Sequence, residues 1–416
     1  MKDTAESDIE GIGAAQSEPP PHGKTKQKNT TRKNPSEVLT RDIRRPVESM
    51  LWGRAAGRCQ FDGCNRGLSR SSVTQEQANV AQKAHIWAFS ADGPRGHAGV
   101  SEEELNDIDN LMLVCHECHV KIDQVADGGR YTAALLRSWK QAHEKRIATI
   151  TGIAPNRRSH VLLYGANVGD HASPFTWNEA SDAMFPDRYP AEAVPITLGT
   201  ANSSFVDKTP DYWQVEATHL RTQFDRRVRE RVSDREVEHL SVFALAPQPL
   251  LVLLGHLLGD IVPADVYQRH REPPTWKWPS VPSSQPFTIT PPTRTDGLPA
   301  LVLSLSGTVT EDRITSVLGD ASIWMVTVPT PHNDFVKSRD QVAEFRSVMR
   351  QLLNRIKAVH GQTTELHVFP VAPVSLAVEL GRVRMPKAEM PWRLYDQVAA
   401  RGGFVPALSL SEGVSS

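Results

Sequence analysis

Cysteine is scarce in this chain: 416 residues hold four, at positions 59, 64, 115 and 118. All four fall inside one window of sixty residues. That distribution argues against a chain stapled throughout by disulfides. In a cytosolic protein, clustered cysteines read as a metal site before they read as disulfides. Long apolar runs are missing too. None approaches the roughly eighteen residues that a membrane span needs. The longest, LAPQPLLVLLGHLLG at 245–259, is broken by prolines, glycines and a histidine. Net charge is nearly absent at −1, which by itself decides nothing. The N-terminus is polar and acidic, so no signal peptide is read there and a cytoplasmic location is expected.

What is present is the composition of a soluble globular protein, 39% hydrophobic and 23% charged. The length is too great for one ordinary core and predicts two or three domains. Charge is uneven along the chain. Residues 24–45 carry eight Lys or Arg against two acids, a run that either steers towards phosphate backbones or is a solvated tail. The first forty residues hold almost no large apolar side chain and are expected to be a disordered basic tail. A first domain is expected over 41–155. It opens with the helix-like PVESMLWGRAAGRC and closes with YTAALLRSWKQAHEKRIATITG, whose apolar residues recur at helical spacing. PNRRS at 155–159 is the expected linker, and a second domain fills 160–416.

The second domain contains an internal repeat. VFALAPQPLLVLLG at 242–255 and VFPVAPVSLAVELG at 368–381 share the frame VFxxAPxxLxVxLG without a gap, 126 residues apart. Tyr267 and Tyr395 follow the two copies at similar distance. Apolar strands HVLLYGANVG and ALVLSLSGTV lie upstream, and a long charged helix precedes each VF strand. The pattern predicts a duplicated α/β unit of two Rossmann-like halves with parallel sheets. In such sheets ligands favour the carboxyl ends of the strands.

The first domain carries the metal chemistry. Cys59-x4-Cys64 and Cys115-x2-Cys118 form two short-spaced pairs, the pattern of a tetrahedral four-sulfur zinc site. Four thiolates leave no coordination position for water, so this Zn2+ is expected to be structural. Between the pairs stand His85 and Asn110, and after them His119 and Asp123. The last two are i and i+4 on an expected helix and so share a face. An imidazole and a carboxylate on one face make a usable divalent-metal site. Each residue alone has a plainer reading, as a structural histidine, a turn asparagine or a paired aspartate.

Taken in order, the residues C…C–AHI–DNLMLVCHECH–D resemble an HNH endonuclease, over about Cys59–Asp123. The resemblance implies a ββα-metal fold that cleaves double-stranded DNA. It makes His85 the general base that activates water, Asn110 the residue that holds the base-bearing loop or contacts the metal, and His119 a catalytic and metal-binding residue beside Asp123. The implied catalytic ion is Mg2+ or Mn2+. Many relatives place an Asp or His immediately before the base; here that residue is Ala84. His97, Asp109 and the acidic segment SEEELNDID are candidates for the missing ligand.

The duplicated region, through VFALAPQPLLVLLG, VYQRHREPPTWKW, LVLSLSG and HVFPVAPVSLAVELG, resembles a SAVED domain, a tandem relative of the CARF sensor fold. An HNH nuclease fused to SAVED resembles an effector of CBASS anti-phage immunity. The resemblance implies a cyclic di- or oligonucleotide ligand, activation through a homo-oligomer (dimer or tetramer), and no membrane partner. Candidate ligand contacts are Trp276, Lys277 and Trp278, where aromatics stack bases and Lys meets phosphate. Ser304, Ser306 and Gly307 end a strand where backbone can approach a phosphate. Arg382 and Lys387 follow the second repeat. Two other readings stand beside this one: a restriction nuclease for modified DNA, and a non-catalytic zinc module that binds nucleic acid.

Overall fold

The structure is a computed structural model that describes residues 42–90, 93–96, 99–124, 130–166, 176–199, 211–280, 284–385, 388, 390–398 and 403–411. Most of the basic run, His97 and Lys387 lie outside the described residues. The chain divides into two compact units at Arg137/Ser138, with Arg54–Ala56 going with the second.

In the first unit, helix α1 (Arg45–Ala55) precedes the cysteine knuckle. Strand β1 (Ala81–His85) pairs antiparallel with β2 (Leu111–Cys115), placing Ala81 opposite Cys115 and His85 opposite Leu111. Between them lie the short helix α2 (Glu102–Leu105) and a 3-10 turn, Ile108–Asn110. Strand β2 reads LMLVC and is buried at all five positions, as a continuous apolar run predicts. The chain turns at once into α3 (His116–Asp123), with Cys115 as its N-cap residue. The order is strand, strand, helix.

Helix α4 (Ala133–Thr151) is continuous, so the division between units falls inside it and not at the expected linker. Its later turns belong to the second unit. There the His143 ring lies 3.0 Å from the Ala55 carbonyl oxygen, and Lys140 pairs with Glu144. Residues 155–159 are no free linker: a 3-10 turn at Pro155–Arg157 runs directly into the next strand.

The second unit begins with β3 (Arg158–Gly165), α5 (Trp177–Met184), β4 (Tyr189–Pro190) and β5 (Ile196–Leu198). Next come α6 (Tyr212–Phe224), a π turn (Asp225–Arg229), α7 (Glu230–Ser233), β6 (Leu240–Leu245), α8 (Gln248–Leu258) and β7 (Ala264–Val266). A small hairpin, β8 (His270–Arg271) with β9 (Pro274–Thr275), leads out of this half. Then follow β10 (Thr288–Thr290), β11 (Leu298–Ser304), α9 (Glu311–Leu318), β12 (Ala321–Thr327) and α10 (Arg339–His360). The unit closes with β13 (Leu366–Val371), α11 (Val374–Val383), β14 (Trp392–Val398) and β15 (Gly403–Leu410).

The duplication is visible in the sheets. One runs β4-β3-β6-β7, with β5 also on β3, and every pair in it is parallel. The other runs β10-β12-β11-β13-β14-β15. Its four central strands are parallel, with β11–β13–β14 answering β3–β6–β7. Two edges depart from the all-parallel expectation, since β10 and β15 are antiparallel. Strand β15 follows β14 after four residues. That connection is too short for a crossover and allows only an antiparallel return.

The repeat frame has a packing reason. Its last glycine falls at 255 in α8 and 381 in α11, where the two helices cross. A Cβ on Gly255 would lie 1.8 Å from the Val378 carbonyl oxygen, and one on Gly381 would lie 1.9 Å from that of Val252. Val252 and Val378 are themselves equivalent in the repeat, so the crossing is two-fold symmetric in pattern. Each helix also buries leucines, Leu250, Leu251, Leu253 and Leu254 in α8 and Leu376 and Leu380 in α11, worth about 1.5–3 kcal/mol apiece. A second duplicated contact is the ring stack Phe243–Tyr267 at 4.4 Å and its counterpart Phe369–Tyr395 at 4.4 Å. No helix of the described residues is long and apolar enough to cross a membrane.

Candidate functional site

The four cysteine sulfurs come together, all within 4.8 Å of one another. Cys64 Sγ and Cys115 Sγ are 4.0 Å apart, far beyond the roughly 2.05 Å of a disulfide. A Zn–S bond of about 2.3 Å puts tetrahedral sulfurs about 3.8 Å apart, so the set fits Zn2+. Local backbone builds it. Cys64 N–H donates to the Phe61 carbonyl (3.0 Å) and Cys59 N–H to that of Arg66 (2.9 Å), closing a tight knuckle. Gln60 ties the knuckle to β2: its N–H donates to the Leu113 carbonyl (2.8 Å), and its side-chain oxygen accepts from Leu113 N–H (2.7 Å). Burial pushes the Cys59 thiol up to about 12 and raises that of Cys118 as well. Burial also works to raise Cys115, but hydrogen bonds from the Cys118 backbone and neighbouring thiols outweigh it and lower that group. Crowded, buried thiols resist ionising together until a cation sits among them, and a coordinating thiol is deprotonated outright.

His85 ends β1, half-buried, with its ring 5.6 Å from that of Phe89. Its Nε2 lies 3.1 Å from Asn106 Oδ1. With that oxygen accepting, the hydrogen sits on Nε2 and the Nδ1 lone pair is the basic one. Asn110 is buried and its amide is committed to the loop after the base strand. Oδ1 accepts from Trp87 N–H (2.8 Å), and Nδ2 donates to the carbonyls of Leu105 (2.9 Å) and Trp87 (3.2 Å). Of the two roles open to it, this geometry supports holding the loop.

On α3, His119 Nδ1 and Asp123 Oδ2 are 3.5 Å apart and both partly exposed. They offer one imidazole nitrogen and one carboxylate oxygen, a donor set that suits a divalent ion whose other ligands are water and phosphate. Among the described residues no third His, Cys, Asp or Glu joins them, because the four cysteines form the only such group. The acidic segment turns elsewhere. Glu104 caps its own helix through Ser101, and Asp107 accepts from Asp109 N–H (2.9 Å). Glu104, Asp107 and Asp109 line a separate cleft of about 300 Å³ with Trp87 and Arg137. His97 lies outside the described residues.

Arg95 carries no mark in the sequence. It is 7% exposed and donates to the Ile86 carbonyl (2.8 Å), the Ile122 carbonyl (2.9 Å) and Asp123 Oδ1 (3.1 Å). One side chain thus clamps the loop after His85 to the end of α3. Asn106 is unmarked likewise. The signal for both was proximity to His85 and Asp123 in three dimensions, which spacing does not carry.

In the second unit the expected ligand residues separate. Trp276 is 2% exposed, edge-on to Phe243 at 5.4 Å and beneath the Arg269 guanidinium. It is a core residue, which corrects the expectation that its ring stacks a ligand. Trp278 leans on Tyr267 and His270, its ring N–H buried with no hydrogen-bond partner among the described residues. Lys277 is exposed, 3.7 Å from Asp182. Arg382 is also turned inward, to the Ala264 carbonyl (3.1 Å) and buried Glu379 (2.9 Å), where it serves the helix contact. Lys387 lies outside the described residues.

Ser304, Ser306 and Gly307 share one loop at the carboxyl end of β11. Ser304 Oγ donates to the Gly307 carbonyl (3.1 Å) and accepts from Val309 N–H (2.9 Å), while Ser306 N–H donates to Val371 at the end of β13 (3.0 Å). Space beside Gly307 is open. Gln248, unmarked in the sequence, joins the halves here. It opens α8 at the end of β6, and its Nε2 donates to Ala372 after β13 (2.8 Å). Its Oε1 is buried with no hydrogen-bond partner among the described residues.

Residues 220–410 match the family model described as "SMODS-associated and fused to various effectors sensor domain". That stretch is therefore similar to a SAVED domain. The match starts inside α6 and so begins after β3, β4 and β5. The solved structures include the Acinetobacter baumannii Cap4 SAVED/CARF-domain receptor with the cyclic trinucleotide 2'3'3'-cAAA, at 11% identity and TM-score 0.41 over 66% of this chain and 56% of that one. The Moraxella osloensis Cap4 receptor is similar at 11% identity and TM-score 0.34, over 69% of this chain and 60% of that one. The present chain therefore spans less than two thirds of these receptors' length. No curated protein matches.

Proposed function

We propose that this protein is a cyclic-oligonucleotide-gated, metal-dependent DNA endonuclease of CBASS-type antiviral defence, with an HNH catalytic unit and a SAVED sensor. The observation that carries the reading is the coincidence in one chain of two things. One is the SAVED match over 220–410. The other is a strand–strand–helix unit that ends β1 on His85 and sets His119 and Asp123 on α3 behind a four-cysteine knuckle.

The proposed reaction is hydrolysis. Nδ1 of neutral His85 takes a proton from water. The water oxygen bonds to phosphorus as the P–O3′ bond breaks, leaving a 5′ phosphate, and the 3′ oxygen collects its proton from solvent. Asn106 fixes the tautomer of the base, Asn110 holds its loop, and Arg95 keeps Asp123 in place. A divalent ion bound by His119 and Asp123 supplies Lewis-acid neutralisation of phosphate charge. The four cysteines hold Zn2+ as a structural element.

The ligand class is a cyclic di- or oligonucleotide at the carboxyl ends of the sensor strands, where Ser306, Gly307 and the orphaned Gln248 oxygen lie. Binding promotes homo-oligomerisation and switches on cleavage.

The test is supercoiled plasmid incubated with purified protein, Mg2+ or Mn2+, and a panel of cyclic di- and trinucleotides. Nicking or linearisation with one member of the panel, and little without it, is expected. A second reading, a zinc module that binds nucleic acid without cutting it, draws on Ala84 and the two-residue ligand set. Absence of cleavage across the whole panel, with DNA binding retained, selects that reading.

A further inference from the structure

A hollow of about 230 Å³ lies beside the cysteine knuckle, lined by Phe61, Lys121, Gln124, Arg130 and Tyr131. Nothing in the nuclease chemistry above uses it. We infer that it binds one nucleotide of the DNA strand at a position flanking the cut, an inference that rests on the nuclease reading.

The lining has two kinds of chemistry. Phe61 and Tyr131 meet edge to face at 5.7 Å, and the Arg130 guanidinium sits 5.5 Å from the Tyr131 ring centroid. Aromatic faces of this kind stack any base, and Arg and Lys meet phosphate. Lys121 is shared with Glu117 at 3.1 Å; no carboxylate among the described residues pairs with Arg130. The volume falls below the roughly 300–1,000 Å³ of sites for drug-sized ligands. It suits a single nucleotide unit and is too small for a whole cyclic oligonucleotide.

Position points to the DNA strand. Lys121 and Gln124 lie on and just after α3, the helix that carries His119 and Asp123. At about 100° per residue they fall on the opposite side of that helix. One helix width is about 10 Å, which sets the scale of the hollow's distance from that pair. The basic side chains of the hollow, Lys121 and Arg130, suit a phosphate backbone better than does the cleft of this unit lined by Glu104, Asp107, Asp109 and Arg137. Phe61 stands between Cys59 and Cys64, and its carbonyl accepts from Cys64 N–H, so the zinc knuckle holds one wall of the hollow in place.

The test uses the full chain, no added divalent ion, and a short fluorescein-labelled DNA duplex read by anisotropy across a salt series. Tyr131→Ala and Arg130→Gln are each expected to weaken binding about five- to tenfold. Arg130→Gln should also lower the slope of log K against log salt by about one. Tyr131→Phe keeps the ring and should bind as wild type does. Zinc content and melting temperature should match wild type in all three. Unchanged affinity and slope in Tyr131→Ala and Arg130→Gln, with wild type binding the duplex, overturn the inference and leave the nuclease reading standing. Loss of zinc together with loss of binding overturns it too, by making the role structural. Wild type that does not bind the duplex at any salt, with or without each cyclic nucleotide of the panel, overturns both.

Discussion

Alanine at Gly381 should break the contact between the two halves of the second unit. In an exposed helix interior, Gly→Ala stabilises by about 0.5–1 kcal/mol through backbone entropy. At 381 the added methyl would stand 1.9 Å from the Val252 carbonyl oxygen and 2.7 Å from the His256 backbone nitrogen. Both obstacles are backbone, so neither swings aside. The helices must separate by about 1–1.5 Å to restore ordinary contact, which unpacks leucines along α8 and α11. Overpacking of this kind costs about 1–3 kcal/mol. The net expectation is about 1–2 kcal/mol of destabilisation, the opposite sign to the helix rule.

Gly53 supplies the control. It lies in α1 and a Cβ there meets nothing within 4 Å, so Gly53→Ala should be neutral or stabilising. Gly255→Ala should resemble Gly381→Ala, since its methyl would stand 1.8 Å from the Val378 oxygen. The double variant should cost less than the sum of the singles, because one separation relieves both clashes. Urea titration followed by tryptophan fluorescence reads all four variants, with Trp276, Trp324 and Trp392 buried in the second unit as reporters of the crossing and Trp52 in α1 as reporter for Gly53. A Gly381→Ala protein as stable as wild type, or full additivity in the double variant, would refute the reasoning.

Further expectations can be checked by standard measurements. Arg95→Ala removes three hydrogen bonds, to the Ile86 and Ile122 carbonyls and to Asp123; a loss of about 2–4 kcal/mol is expected by denaturation, and an unchanged midpoint contradicts it. Asn106→Ala should slow cleavage about tenfold or more and shift its pH profile, without altering zinc content, because the acceptor at His85 Nε2 is lost. Burial holds His256 down to about 4, against an ordinary value of 6.5. The folded chain thus disfavours the charged ring. That stability is intact above pH 6.5 and falls as pH drops towards 4, by at most about 3 kcal/mol. His256→Gln should flatten that acid limb, and an unchanged limb assigns it to other groups.

The parts of this fold that the sequence displayed were those with a period or a copy. VFxxAPxxLxVxLG marked β6–α8 and β13–α11, and the apolar LMLVC run marked β2. The cysteine spacing displayed the metal cluster, since two short pairs need only a loop to meet. What stayed hidden depends on neighbours distant in sequence. Gly255 and Gly381 read as ordinary repeat residues until the helices cross. Trp276 and Trp278 flank a lysine as a ligand platform would, yet burial behind Phe243 decides the role of Trp276, and no local pattern encodes that burial. Arg382 looked like a phosphate contact because charge near a helix end is visible in sequence, whereas its partner Glu379 at 0% exposure is not. Strand β15 pairs antiparallel because its connection is short, a matter of chain length more than of residue type.

The central claim couples a sensor to a nuclease, and one paired measurement addresses it most directly. Wild type and His85→Ala are titrated with the cyclic oligonucleotide that the panel identifies, with ligand binding and plasmid cleavage read on the same samples in Mg2+ or Mn2+. Equal ligand affinity in the two proteins, cleavage that rises with occupancy in wild type, and none in His85→Ala are expected. Cleavage by His85→Ala, or wild-type cleavage that ignores ligand occupancy, would contradict it.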